Sequence, residues 1–159
     1  MRQIIRQREI VVDAWRYPGE AGDGPVVQPL AEYLAVVLAG QAPEHGTGVR
    51  IGPTDEVERL GPHLGRVDLV VVEFPKNGDG RGFTQGQMLR QRYRYAGELR
   101  AAGVIFRDHM FYLARCGFDA FDLAPGESPQ AALAALHSFS VAYQGASDAG
   151  VHTHGRRCG

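Results

Sequence analysis

Lysine is almost absent: of the 17 basic residues one is Lys76 and the rest are arginine. That imbalance reads as a GC-rich coding bias, so no arginine counts as functional evidence by its type alone. Positive charge is not in surplus either, the net charge being −1 at pH 7. This excludes the concentrated basic surface that a phosphate backbone requires, and no nucleic-acid partner is expected. Cysteine is scarce, with Cys116 and Cys158 far apart, and no disulfide framework or zinc motif can be read from them. Cys116 reads as a small packing residue rather than a redox thiol. Apolar runs are too short to span a bilayer, and no basic segment leads into an apolar core as in an export signal. The expectation is a cytoplasmic protein with no membrane partner.

What is present is 159 residues with 44% hydrophobic and 22% charged content, enough for one globular domain with a sizeable core. That domain is expected over residues 1–145. Residues 146–159 read as a flexible C-terminal tail, in which His152, His154 and Cys158 make poor evidence for a metal site. At the N-terminus "IIRQREIVVDAWRY" places two apolar stretches around polar "RQRE", the pattern of a small β-hairpin. "PGEAGDGP" is then a loop.

From there strand and helix signals alternate. Strands are expected near residues 26–28, 49–52, 69–74, 98–102 and 120–123. "LAEYLAVVLAG" has apolar residues at helical spacing closed by Gly40. "TDEVERLGPHLG" opens with a Thr/Asp cap, and "TQGQMLRQRYRY" and "VIFRDHMFYLARCG" read as further helices. "SPQAALAALHSF" carries a Ser cap and proline at the first helical position. "VDLVVVEF" is the continuous apolar run of a strand covered on both faces. The fold class is therefore α/β, with about five mainly parallel strands alternating with helices. A doubly wound sheet and a partial barrel both satisfy the pattern. In either, ligands sit beyond the carboxyl ends of the strands, which makes "PKNGDGRGF" the expected functional rim.

"FPKNGDGRGFTQGQMLRQRYRYAGELRAAGVIFRDHMFYLARCGFDAF", together with "FSVAYQ", resembles the bacterial domain-of-unknown-function family 934. "DGRG", "GELRA" and "RCGFDAF" carry the likeness in combination, which is densest from Phe74 to Phe121. The resemblance implies a link to assimilatory sulfate reduction, since members are typically encoded beside a sulfite reductase and some bear the label of probable oxidoreductase. It brings no established activity. The family pattern tends to have aspartate at the place of Val104, where it would cap the following helix or face the rim.

Lys76, Asp79 and Arg81 share the rim loop with Gly78, Gly80 and Gly82, and Thr84 is available as a helix cap. Donors beside a helix N-terminus suit a small oxyanion. The plainer alternative is a tight turn with Arg81 paired to a nearby carboxylate. Arg107 is expected as a fourth rim member for an anion or a partner. Asp108 and His109 are candidates for acid–base work, against the simpler roles of a helix-dipole acid and a packing residue. Glu73, Glu98 and Arg100 sit in otherwise apolar strands. A buried Arg100 paired with Glu73 or Glu98 explains them structurally, and an anion clamp with a proton-transfer group explains them functionally. Tyr93 and Tyr95 with Arg90, Arg92 and Arg94 suggest a basic aromatic surface for a partner. No cofactor motif is recognisable: the rim loop has neither the "GK[ST]" ending of a phosphate loop nor a "GxGxxG".

Two functions follow from different classes. One is an accessory protein acting with sulfite reductase, possible also as a homo-oligomer. The other is a small enzyme or binding protein for a sulfur oxyanion or related anionic metabolite. A concave pocket with convergent donors favours the second, and a shallow rim beside an exposed aromatic patch favours the first.

Overall fold

The computed structural model describes residues 1–142, with side chains to residue 138. The tail 146–159, with His152, His154 and Cys158, lies outside the described residues. Strands β1 (Gln3–Arg6) and β2 (Glu9–Val12) form the expected hairpin. Its two-residue loop, Gln7–Arg8, has both φ positive, at 51° and 66°, the conformation that matches the twist of a tight hairpin. There follow β3 (Val27–Pro29), α1 (Leu30–Leu38), β4 (Gly48–Ile51), α2 (Val57–Leu60) and β5 (Leu69–Phe74). Then come α3 (Arg81–Gln87), β6 (Glu98–Gly103), α4 (Met110–Arg115), β7 (Ala120–Asp122) and α5 (Pro129–Ala142).

All seven strands join one sheet in the order β2-β1-β7-β6-β5-β4-β3. Neighbours from β3 to β7 are parallel, while β1 is antiparallel to both β2 and β7. The five parallel strands run in chain order without a reversal. Right-handed crossovers then bring every connecting helix to the same side. This removes the doubly wound alternative, which needs a point where the order turns back, and leaves the winding of a barrel segment.

The core follows from that winding. Val49 and Ile51, Val70, Val72 and Phe74, and Leu99 and Ala101 alternate along their strands toward the helices. There they bury against Leu30, Tyr33 and Leu34 of α1, Leu113 of α4 and Ala132 and Leu136 of α5. Residues one position out of phase face the other way. A smaller cluster of Val27, Leu69, Val71 and Ala102 lies there under Trp15 and Tyr17. Among the described residues no helix covers this second face. The segment between β2 and β3 does so instead, and Trp15 packs so closely on Gly48 that a Cβ there would meet its ring at 2.8 Å.

Two expected helices differ in extent. The helix read from Val104 starts only with a 3-10 turn at Arg107, because Val104 N–H donates to Phe74 O at 2.7 Å and so extends the β5–β6 pairing. Val104 therefore lies two residues before the cap at Phe106 and is not a capping position. The helix read from Thr84 begins at Arg81, so Thr84 falls inside it, and it ends in a π turn over Met88–Arg92. Among the described residues no helix is long and apolar enough to cross a membrane.

Candidate functional site

Charged residues on the helix-free face are ordered by strand register. Arg50 pairs with Val71, Val71 with Arg100, Arg100 with Ala120, and Ala120 with Arg6, which makes one row rich in arginine. Two residues toward the amino ends, Leu69 pairs with Glu98. Two residues toward the carboxyl ends, Glu73 pairs with Ala102 and Ala102 with Asp122. Acidic side chains thus flank the basic row on both sides. Because side chains alternate faces with period two, all of these emerge on one surface.

Arg100 is the centre of this array and is 0% exposed. Its Nη1 and Nη2 donate to the two oxygens of Asp13 at 2.9 and 3.0 Å, a fork-to-fork bond. Nε and Nη2 also donate to Glu98 Oε1 at 3.1 and 2.8 Å, and Nη1 reaches the Tyr17 hydroxyl at 3.5 Å. Arg100 therefore belongs to Asp13 and Glu98. The expected Glu73–Arg100 pair does not form, because Glu73 registers with Ala102 and meets Arg50 instead, Nε to Oε1 at 3.2 Å. Glu73 is also only half-buried, with 36% of its side chain exposed.

Asp13 arrives on the segment that crosses the face. Burial opposes its ionisation, but the bonds from Arg100 outweigh burial and hold the carboxyl below the usual range. Arg2 completes the cluster. It donates to Asp13 at 2.9 Å and Glu20 at 2.6 Å, and its guanidinium lies over the Tyr17 ring, 4.1 Å from the centroid. The Tyr17 hydroxyl donates to Asp122 Oδ2 at 2.9 Å. Burial pushes the Tyr17 phenol and the Asp122 carboxyl upward, so Asp122 holds a proton more readily than a surface aspartate.

The crossing segment covers the amino half of this face and leaves the carboxyl half open. There lies a cavity of about 360 Å³, with Tyr17, Arg50, Glu73 and Asp122 among its walls and Val71, Phe74 and Leu123 as its apolar lining. Ala102 and Gly103 also line it. Gly103 has φ of +112°, and a Cβ there would lie 2.5 Å from Phe74 O. Cavities at the carboxyl edge of parallel strands are where ligands of such sheets sit.

The rim loop is built differently. Asp79 and Arg81 bond each other, Nε to Oδ1 at 3.1 Å and Nη2 to Oδ2 at 2.8 Å, and Asp79 Oδ1 also accepts from the Arg81 amide. Hydrogen bonds from Arg81 therefore bring the Asp79 carboxyl down to about 2. Of the three loop glycines only Gly78 has positive φ, +90°. Gly82 is small for packing, since a Cβ would lie 2.5 Å from the Phe74 ring. Lys76 and Arg107 are exposed, and neither these nor Asp79 and Arg81 line the cavity. Asp108 is exposed at the start of the 3-10 turn. His109 closes that turn with its own atoms: Nδ1 accepts from Phe106 N–H at 3.3 Å, and its amide donates to Phe106 O at 2.9 Å.

Of the expected basic aromatic surface Arg90 and Tyr95 turn inward, while Arg92 and Arg94 are exposed and the Arg92 guanidinium lies over the half-buried Tyr93 ring, 5.3 Å from its centroid. Arg90 donates to the carbonyls of Gly117, Tyr95 and Gly97, and buried Tyr95 donates to Val67 O at 3.0 Å. Cys116 is buried at 3% exposure. Among the described residues no group of three His, Cys, Asp or Glu side chains is arranged to hold a metal ion.

Sequence reasoning singled out Glu73, Glu98 and Arg100 but missed Arg2, Asp13, Tyr17, Arg50 and Asp122. A signal existed for two of them. Arg50 in "VRIG" and Asp122 in "DAFDL" are single charges inside short apolar strands, as Glu73 and Arg100 are. No curated protein matches the chain. A family model matches residues 48–153, a span that contains Arg50, Glu73, Arg100 and Asp122 but not Asp13 or Tyr17. On that match over most of its length, the chain belongs to the family described as bacterial protein of unknown function (DUF934).

Proposed function

We propose that this protein binds a small anionic metabolite in the carboxyl-edge cavity and serves assimilatory sulfite reduction by doing so. The observation that carries the binding reading is the cavity itself, about 360 Å³, with the Arg50 guanidinium in its wall. Arg50 spends Nε on Glu73. Among the described residues no partner is recorded for its two terminal nitrogens, the pair that grips a carboxylate or oxyanion in parallel. Tyr17 and Asp122 on another wall supply a hydroxyl and a carboxyl that share a proton-bearing bond. A small enzyme could use that pair for proton transfer. The place in sulfur metabolism rests on the family resemblance alone.

A second reading has the protein dock on sulfite reductase as an accessory. It is favoured by the exposed cations Lys76, Arg81 and Arg107 at the same sheet edge, with the exposed Tyr112 stacked on Phe83 at 4.9 Å. Such a contact would weaken steeply with salt. A strain deleted for this protein, grown on sulfate, sulfite or sulfide as the single sulfur source, tests the shared setting. Growth on sulfide alone supports a step at or before sulfite reduction, and normal growth on sulfate overturns it. Binding of purified reductase at low salt, lost in an Arg81→Ala and Arg107→Ala variant, would select the second reading over the first.

A further inference from the structure

The cavity carries more acid than an anion site needs. Its one guanidinium, Arg50, faces two carboxylates, Glu73 and Asp122. These two lie in one register row on either side of Ala102, so their strands stand two spacings apart, roughly 10 Å. Among the described residues Glu73 Oε2 and Asp122 Oδ1 accept no hydrogen bond, whereas Asp122 Oδ2 accepts from Tyr17 and lies 3.8 Å from Arg2 Nε. The floor between them is a methyl group, and Val71, Pro75 and Pro125 make the surroundings apolar.

A bare oxyanion such as sulfite would meet Arg50 but would be repelled by Glu73 and would leave Asp122 without a cation and the apolar walls unfilled. A simple cation would leave Arg50 against it. A ligand bearing both charges on a short carbon body satisfies every wall at once. Resting on the binding role proposed above, we infer that the ligand is a small zwitterion of the amino-acid class. Its carboxylate is held by the free end of Arg50, its ammonium lies between Glu73 and Asp122 over Ala102, and its carbon body rests on Val71, Pro75 and Pro125. The bond from Tyr17 fixes the rotamer of Asp122, and Arg100 behind it holds Tyr17, which makes Tyr17 a positioning residue. The raised pKa of Asp122 fits a carboxyl that a ligand ammonium would draw into its charged form.

The test screens the full chain by thermal shift against the twenty common amino acids, β-alanine and 4-aminobutyrate at millimolar concentration. Sulfite, acetate and butyrate serve as simple anions, and propylamine as a simple cation. At least one zwitterion should raise Tm. By titration calorimetry its deaminated and its decarboxylated analogues should each bind at least tenfold more weakly. Arg50→Met should lose response to the carboxylate and Asp122→Asn should lose discrimination for the ammonium, each read as a shift from that variant's own Tm without ligand. If no zwitterion raises Tm, or if a deaminated analogue binds within twofold of its parent, the inference is wrong. The binding role itself survives that failure if a simple anion shifts Tm in wild type but not in Arg50→Met. It falls as well if no compound shifts Tm and Ala102→Leu, which fills the cavity, still supports growth on sulfate.

Discussion

Leu99 and Arg100 are adjacent in β6, both 0% exposed, and they belong to opposite designs. Leu99 enters the face that the helices cover, where apolar side chains from every layer interlock. Arg100 enters the face that only the N-terminal segment crosses, where its charge is matched by Asp13 and Glu98. The first face is held by area removed from water, which depends on filled volume and does not sense pH. The second is held by a chain of directional bonds in which each member depends on the next. Apolar burial closes a surface completely, while a bonded network can leave part of a face open. The cavity lies on the face built in the second way.

The largest predicted effects come from breaking the network at its centre. Arg100→Met removes the central donor of Asp13 and Glu98, leaving Asp13 to Arg2 and the Trp15 amide and Glu98 to Arg6 at 3.7 Å, and should cost about 3–5 kcal/mol in urea unfolding. Leu99→Ala should cost about 2–5 kcal/mol by opening a core cavity. The two are told apart by pH. Asp13 is depressed in the fold, so the stabilisation it provides is present above its unfolded value near pH 4 and is lost as pH falls through the folded value. Wild type and Leu99→Ala should therefore lose stability in parallel below about pH 4, and Asp13→Asn, weaker throughout, should show a flatter acid limb. Asp122 is raised and has the opposite sign: its neutral form is favoured, and the stability associated with it declines as pH rises through its folded value. Asp122→Asn should accordingly improve on wild type as pH rises from 4 toward neutrality, when followed by Tm. Parallel acid limbs in wild type and Asp13→Asn would mean that the charged face holds no more tightly than a surface.

Tyr17→Phe sharpens the comparison at smaller scale. It removes one hydroxyl bonded to Asp122 and near Arg100, for about 0.5–1.5 kcal/mol. A loss much larger than that by chemical denaturation would show that the crossing segment depends on this bond for its attachment, rather than on Trp15 and Asp13.

The two faces were not equally legible in the sequence. Alternating and helically spaced apolar residues announced the strands, the N-terminal hairpin and the helix-covered core, because that face follows local periodicity, whereas the expected Thr/Asp cap of α2 is not formed: its cap is Glu56, without a side-chain bond. The charged face depends on register between strands and on a segment far away in the chain. Nothing near Arg100 indicates that Asp13, 87 residues before it, will be its partner. Glu73 and Arg100 were visible as isolated charges in apolar strands. Of the two partners expected for Arg100, Glu98 holds it, whereas Glu73 does not, because a two-residue offset between rows puts Ala102, not Arg100, beside Glu73. The rim loop was found for a sound reason of polarity, yet Asp79 and Arg81 satisfy each other at the surface, while the concave part of that edge lies on the sheet face behind it.

The claim most exposed to test is that function resides in the cavity on the charged face. Ala102→Leu projects a larger side chain into space that is empty, so it should cost less than about 1 kcal/mol, below the usual range for overpacking. Arg81→Ala removes an exposed pair and should leave the unfolding midpoint unchanged. Both variants are introduced into a strain lacking the protein, and growth on sulfate is measured beside the Tm of each purified chain. Loss of growth with Ala102→Leu and full growth with Arg81→Ala, both folded, is the predicted result. Full growth with Ala102→Leu and loss with Arg81→Ala would contradict it and move the functional surface to the rim loop.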